Sequence, residues 1–293
     1  MKGAIGVSTY NRRHLVELCA ASLCSSSIPH DTPLIVVDDV STEYDVDYLR
    51  SIFPKFADVR RRPKNSGGAS FANRDLMRQL LETDVEAVLL LDSDLLVKSN
   101  FLECGISLLH DTDGVLSLFN TPNHPEIGAR GPFVLKAAVG CAGTLWRRDV
   151  AAKMFAAVSA GPQWDWRFSD FLVKSGVEIC VVRDSLVQHI GYFYGQNCLH
   201  TGDFGVGFSD ADAKNAYRLT EVLVAATQAQ YRRIQEQIDT LNNDARRIER
   251  WLLLRRFLRF WYRLLQRRMN KIALQTTRLR TAWARLRVTR KDV

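Results

Sequence analysis

The chain has 293 residues, 46% apolar and 25% charged, proportions that exclude a disordered or fibrous protein and allow one large domain with an appendage. Its net charge of +8 divides unevenly, since residues 1–214 hold 21 basic and 26 acidic side chains and residues 215–293 hold 19 and 6. No stretch of 18 uncharged apolar residues occurs and residues 3–7 are too short for a signal-peptide core, so neither a transmembrane span nor a secretory leader is expected. Residues 4–7, 34–37 and 88–91 are apolar runs closed by polar residues, the pattern of strands buried on both faces of a parallel sheet. Residues 15–23 and 69–81, between those runs, have helical spacing. The alternation predicts right-handed crossovers and a doubly wound sheet, with ligands at the carboxyl ends of its strands. There the chain places Ser8-Thr9-Tyr10-Asn11, Asp38-Asp39 and Asp92-Ser93-Asp94.

Beyond Val97 the pattern predicts shorter strands at 116–119, 133–134 and 179–182, a helix at 165–174 ending near Gly176, and a loop over 191–212. From Asn215 onward there is neither proline nor glycine, so a helix meets no breaker. Two heptad seams, from Val224 to Leu252 and from Leu265 to Leu286, predict a coiled coil or helical hairpin, compatible with a homo-oligomer. The division expected is residues 1–212 and a basic helical extension over 213–293. Six cysteines without a C-x-x-C pair read as reduced thiols of a cytoplasmic protein.

Asp92 and Asp94 close an apolar strand, where two carboxylates repel and lose hydration unless a cation neutralises them. A hard divalent ion, Mn²⁺ or Mg²⁺, takes oxygen ligands and keeps phosphate oxygens as partners. Asp38 can accept hydrogen bonds from a nucleobase or ribose, or cap the turn at Ser41 and Thr42. Asn65-Ser66-Gly67-Gly68 precedes a helix; its glycines allow close approach and the helix N-terminus favours an anion.

In this order, Ser8-Thr9-Tyr10-Asn11-Arg12, Val36-Val37-Asp38-Asp39, Asn65-x-Gly67-Gly68 with Asn73, and Leu91-Asp92-Ser93-Asp94 resemble the family 2 glycosyltransferases of the GT-A fold. Residues 139–148, 164–176 and 187–191 are similar to the later landmarks of that family, so the likeness spans residues 3–190. It implies an α/β GT-A domain, Rossmann-like, with a mostly parallel sheet flanked by helices, followed by an all-helical basic extension. By resemblance, Thr9 and Asp38 hold nucleobase and ribose, with Asn11, Asp39, Asn65, Gly67, Asn73 and Ser93 around the nucleotide sugar. Asp92 contacts ribose or metal, Asp94 ligates the metal, and His189 is either a third ligand or a buried structural histidine. Asp165 matches the general base of inverting members, with Asp170 in reserve. The chain departs from the family at Trp164, where a Glu is usual, at Ala72, where Arg is common, and at Ser8, where Pro is usual.

The donor so implied is a nucleoside-diphosphate sugar, a UDP-sugar first, and the acceptor a glycan or lipid-linked glycan of bacterial surface synthesis. Residues 251–265 interleave Arg255, Arg256, Arg259 and Arg263 with aromatic and leucine side chains, which suits a helix lying on an anionic membrane at its inner face. A helical bundle with solvated arginines is the other reading, and nucleic acid ranks behind both. Alternative functions are a transferase acting on modified nucleic acid bases and a noncatalytic nucleotide- or glycan-binding scaffold.

Overall fold

The computed structural model describes residues 1–191, 203–209, 231–232, 234–244, 261–274 and 276. The chain divides into two compact units, Met1–Gly191 with Asp203–Thr220, and Tyr192–Gly202 with Glu221–Val293. The first unit runs β1 (Gly3–Thr9), α1 (Arg13–Cys24), β2 (Leu34–Asp38), α2 (Val46–Ile52), β3 (Asp58–Arg61), α3 (Ala69–Leu81) and β4 (Ala87–Asp92). It continues through β5 (Leu95–Val97), α4 (Phe101–Leu109), β6 (Val115–Ser117), β7 (Glu126–Arg130), β8 (Phe133–Lys136) and β9 (Thr144–Arg147). Then come α5 (Arg148–Ala157), α6 (Trp164–Lys174), β10 (Cys180–Val182) and β11 (Val187–His189).

Nine strands form one sheet in the order β3-β2-β1-β4-β9-β6-β10-β8-β7. The pairings of β3, β2, β1 and β4 are all parallel, which is the doubly wound half expected from the apolar runs. The other half is mixed, because β9 enters antiparallel between β4 and β6, and β8 lies antiparallel to β10 and β7. Residues 139–148, similar in sequence to a family landmark, supply a turn first, then β9 and the start of α5.

The two-residue period of a strand explains the layers. Ile5, Val7, Val36, Leu89 and Leu91 belong to a core shared with Val16, Cys19 and Ala20 of α1 and Phe101 and Leu102 of α4. Their neighbours Ala4, Ile35, Val37, Val88 and Leu90 belong to the opposite core, with Leu76, Met77 and Leu80 of α3, Met154 of α5 and Phe168 of α6. Helices therefore cover both faces of the sheet, the α/β architecture expected, and β1, β2 and β4 carry no polar side until they end. A separate ribbon pairs β11 antiparallel to β5, with His189 opposite Leu95.

Where the family pattern has a carboxylate, Trp164 opens α6 fully buried. Its ring meets Phe168 edge-on at 5.3 Å, and Phe168 meets Trp146 of β9 at 5.1 Å. This aromatic stack pins the first turn of α6 to the sheet.

In the second unit the described residues of 231–244 and 261–276 are helical. Ile234, Ile238 and Leu241, and then Leu265, Met269, Ile272 and Thr276, are buried or half-buried, whereas Tyr231 of the same seam is exposed. Val224, Thr227, Ala245, Ile248, Leu252, Leu279, Trp283 and Leu286 lie outside the described residues, as do residues 251–260 and much of 191–212. Among the described residues no helix is long and apolar enough to cross a membrane.

Trp164→Ala should destabilise the first unit by about 3–5 kcal/mol, the range for deleting a buried aromatic. Urea unfolding checks this, and a loss under 1 kcal/mol would show that the stack does not anchor α6.

Candidate functional site

The same period that sorts the core also aims the polar residues at the strand ends. Ser8 and Asp92, paired in register, continue the α3-facing rows. Asn73 of α3 joins them, accepting from Ser8 Oγ at 2.6 Å and donating Nδ2 to Asp92 Oδ1 at 3.0 Å. Thr9 and Asp38, also in register, face the α1 side, where Thr9 Oγ1 donates to Asp38 Oδ1 at 3.5 Å.

Asp38 is fully buried, and its carboxylate accepts from the Ser41 backbone N–H at 3.1 Å and from the Ser41 hydroxyl. Arg61 completes it, with Nη1 3.1 Å from Oδ2. The turn-capping arrangement is thus built, and Asp38 holds the pocket wall through Thr9 and Ser41. Asp39 points elsewhere, since consecutive side chains leave a strand on opposite sides, and Val40 after it takes a left-handed backbone, φ 65°, a strained choice for a β-branched residue. Its carboxylate accepts from Ser66 N at 2.8 Å and Ser66 Oγ at 2.6 Å, with Arg62 Nε at 3.2 Å. Asn65 spans the same loop, donating Nδ2 to Asp39 O and accepting from Gly67 N. Gly67 and Gly68 have φ of 88° and 137° and face open space before the first turn of α3. Asn11 and Arg12 are also left-handed, φ 50° and 57°. Asn11 Oδ1 accepts from Thr42 N at 2.8 Å, which ties the β1–α1 turn to the turn after β2.

Asp94 is the electrostatic centre. Its side chain is 5% exposed, and its Oδ2 lies 2.7 Å from Arg12 Nη1 and 3.4 Å from His189 Nε2. Its Oδ1 is buried without a hydrogen-bond partner among the described residues. Burial by itself would raise the Asp94 pKa, but the charges of His189 and Arg12 outweigh it and hold the carboxyl well below its ordinary range. Asp92 shifts the other way, raised by burial and then by the charge of Asp94. For His189, burial favours the neutral ring, yet Asp94 and Asp203 override it and raise the pKa to about 10. The β5–β11 ribbon delivers this histidine, and Ile190 N closes the contact on Asp94 O at 2.8 Å. Gly191 follows necessarily, since a Cβ there would stand 1.8 Å from Asp94 Oδ2. Ser93 is buried between the two aspartates. Among the described residues no group of three His, Cys, Asp or Glu side chains converges at metal-ligand spacing: Asp94 and His189 face each other while Asp92 leans to Asn73.

Asp165 sits in the first turn of α6, half-buried, with Oδ1 accepting from Trp166 N at 3.0 Å. The buried thiol of Cys141 connects it to the strand ends. Burial first, then the charges of Asp92 and Asp165, push that thiol well up. The turn at 140–143 lies against both β4 and α6, with Gly143 N donating to Leu90 O of β4 at 3.1 Å and a Cβ at Gly140 placed 3.8 Å from Asp165 Oδ2. Across from Asp165, His124 meets the exposed Trp166 ring at 5.9 Å. Burial, then Lys136, lowers the His124 pKa against the opposing charges of Asp203 and Asp165. Asp170 is turned away on an exposed face and pairs with Lys174 at 2.7 Å.

Three contributors had no role in the sequence reading: Arg12, Asp203 and His124. Arg12 stood inside a recognised motif, immediately after Asn11, and its position was the available signal. Asp203 and His124 lie in segments without periodicity, where nothing in the sequence marks one polar residue over another.

The model of glycosyl transferase family 2 matches residues 4–135. Among solved structures, the S. aureus TarS 1-349 complex with UDP-GlcNAc is 20% identical over 64% of this chain and 57% of that chain, with a TM-score of 0.46. The crystal structure of S. aureus TarS 1-349 is 17% identical over 78% of this chain and 65% of that chain, at 0.47. The chain thus spans less than two thirds of either. No curated protein matches it.

His189 titrates higher in the fold, about 10, than in an unfolded chain, about 6.5. Its contribution to stability is complete below the lower value and is lost as pH rises through the higher one. Wild-type stability should fall across that window with a slope of up to about 1.4 kcal/mol per pH unit, the value for one proton. His189→Gln should flatten the fall in urea unfolding at stepped pH. Parallel curves for the two proteins would refute the Asp94–His189 pairing.

Proposed function

We propose, for a chain whose residues 4–135 match the model of glycosyl transferase family 2, that its site moves a sugar from a nucleoside-diphosphate sugar to an acceptor hydroxyl. One observation carries this reading: the turn at 140–143 bonds to β4, Gly143 N donating to Leu90 O at 3.1 Å, and also borders α6, where a Cβ at Gly140 would stand 3.8 Å from Asp165 Oδ2. The strand ends then form a donor side, and α6 an acceptor side.

On the donor side, Thr9, Asn11, Asp38, Asp39, Asn65, Gly67, Asn73 and Ser93 would shape the nucleotide pocket. Asp38 works there through the Thr9 and Ser41 hydroxyls that it holds. A divalent cation fits the residues present. Asp94 offers a buried oxygen without a partner, and His189 Nε2 borders the same carboxylate. The imidazole favours Mn²⁺ over the harder Mg²⁺, and phosphate oxygens would fill the remaining positions. When bound, the cation would neutralise the departing diphosphate. Asp92 would meet the ribose or the cation, with Asn73 fixing its carboxyl.

On the acceptor side, Asp165 would take the proton of the acceptor hydroxyl as that oxygen bonds to the anomeric carbon and the bond to the diphosphate breaks. A single displacement of this kind inverts the anomeric centre. We further propose that residues 1–212 act as the catalytic domain and that the extension over 213–293 sits on an anionic membrane, bringing the enzyme to a glycan or lipid-linked acceptor. Trp261, Tyr262 and Leu264 are exposed beside Arg263, the mixture that suits a membrane interface.

Calorimetry with UDP-, GDP- and TDP-sugars should show Mn²⁺-dependent binding of one donor, abolished in Asp94→Ala. Asp165→Asn should keep donor binding and lose about 10²–10⁴-fold in kcat. Absence of binding to every donor would defeat the transferase reading in favour of a scaffold. The full chain should also sediment with vesicles containing anionic lipid and not with zwitterionic ones, releasing at high salt. Tighter binding to duplex DNA than to anionic vesicles would overturn the membrane assignment.

A further inference from the structure

We infer that Asp203 is a positioning residue that fixes the His189 ring so that Nε2 faces Asp94. This rests on the metal reading above and adds to it a residue that touches neither Asp94 nor, on that reading, the cation. The geometry is a chain of contacts. Asp203 Oδ2 lies 3.1 Å from His189 Nδ1, and Nε2 of the same ring lies 3.4 Å from Asp94 Oδ2. One edge of the imidazole is therefore occupied by each carboxylate, and a flip of the ring would break both contacts. Phe119 meets the ring edge-on at 6.2 Å.

Asp203 is itself held from several directions, unlike a surface partner that finds histidine by chance. Its side chain is 18% exposed. Its Oδ1 accepts from the Thr121 hydroxyl and from Asn123 Nδ2 at 3.1 Å. The buried ammonium of Lys136 donates to Thr121 O at 2.6 Å, which fixes that hydroxyl's backbone. The main chain is stapled too. Asp203 O accepts from Gln188 Nε2 at 3.3 Å, and Gln188 Oε1 accepts from Gly205 N at 2.9 Å. Val206 then bridges two segments, donating to Asn120 O at 2.8 Å and accepting from Ser185 N at 2.7 Å. Residues 203–206 thus form a strap across the base of β11, with the Asp203 carboxylate as its contact on the ring.

A histidine that ligates a metal through one nitrogen donates its other ring N–H to an oxygen acceptor, and losing that acceptor weakens metal binding by about 10–100-fold. Asp203 meets that requirement at Nδ1 and leaves Nε2 to the Asp94 side. Because Thr121 and Asn123 belong to the segment that carries His124, the same carboxylate joins the cation side of the site to the face opposite Asp165.

Two readouts on the full chain test this. In proton–nitrogen NMR of the metal-free protein, assigned with His189→Gln, the His189 Nδ1–H should give a slowly exchanging resonance that Asp203→Ala abolishes. Calorimetric titration of Mn²⁺ in the presence of UDP should show about 10–100-fold weaker binding for Asp203→Ala. Asp203→Asn, which keeps an acceptor oxygen in place, should retain the resonance and lose less. Should Asp203→Ala fail to fold, the Asn variant and Asn123→Ala, which strips one donor from Oδ1, carry the comparison through partial loss of the resonance. An unchanged resonance and unchanged Mn²⁺ affinity in Asp203→Ala would overturn the inference. A wild type that shows the resonance but binds no Mn²⁺ would refute the metal reading and leave the orientation of His189 by Asp203 standing.

Discussion

A carboxylate at the end of an apolar strand is costly unless opposite charge and hydrogen bonds come with it, and much of this site is the means of supplying them to Asp94. Arg12 arrives through a turn of two left-handed residues at the end of β1. His189 arrives through an antiparallel ribbon whose partner strand begins one residue after Asp94. Gly191 is bare so that the ribbon can close on the carboxylate. Even so, one oxygen of Asp94 is left without a partner among the described residues. That bare oxygen is the atom to which the proposed cation is assigned.

The strain in the neighbouring backbone has the same origin. Left-handed Asn11, Arg12 and Val40 each cost on the order of 1 kcal/mol, less for Asn, whose side chain bonds locally. They persist because the parallel strands on either side are buried on both faces and do not yield. Asp38 and Asp39 are consecutive at the end of β2 and face opposite sides, so that Asp38 meets Thr9 and Ser41 and Asp39 meets the 65–68 loop. Rigid strands set these polar positions, and Asn11, Arg12 and Val40 carry the strain where the chain turns away from them.

The parallel half of the fold was legible because burial on both faces leaves uninterrupted apolar runs. The antiparallel half was not, since β9 is four residues long and lies beside a glycine turn that dominates its local pattern. The strand-end residues Thr9, Asp38, Asp92 and Asp94 could be placed by the period of a strand. Asp38 shows the limit of that method: position said it would face the site, while its capping of Ser41 depended on the turn that followed. Asp203 was out of reach altogether. Its role comes from hydrogen bonds to Thr121, Asn123 and His189, and long-range pairing of that sort leaves no periodic trace.

The replacement of a family carboxylate by Trp164 sharpens the assignment of the base. A buried indole takes no proton, so the base proposed above is a carboxylate elsewhere. Asp203 has both oxygens engaged, and Asp170 is paired with Lys174 at the surface. Asp38 and Asp39 are saturated by serine hydroxyls, backbone amides and arginines. Asp165 differs from all of these, because Oδ1 accepts from its own helix at Trp166 N and its other oxygen accepts none among the described residues. Trp164 meanwhile anchors the turn that carries it against Phe168. Trp164 thus holds the turn that carries Asp165, the residue to which the proton transfer proposed here is assigned.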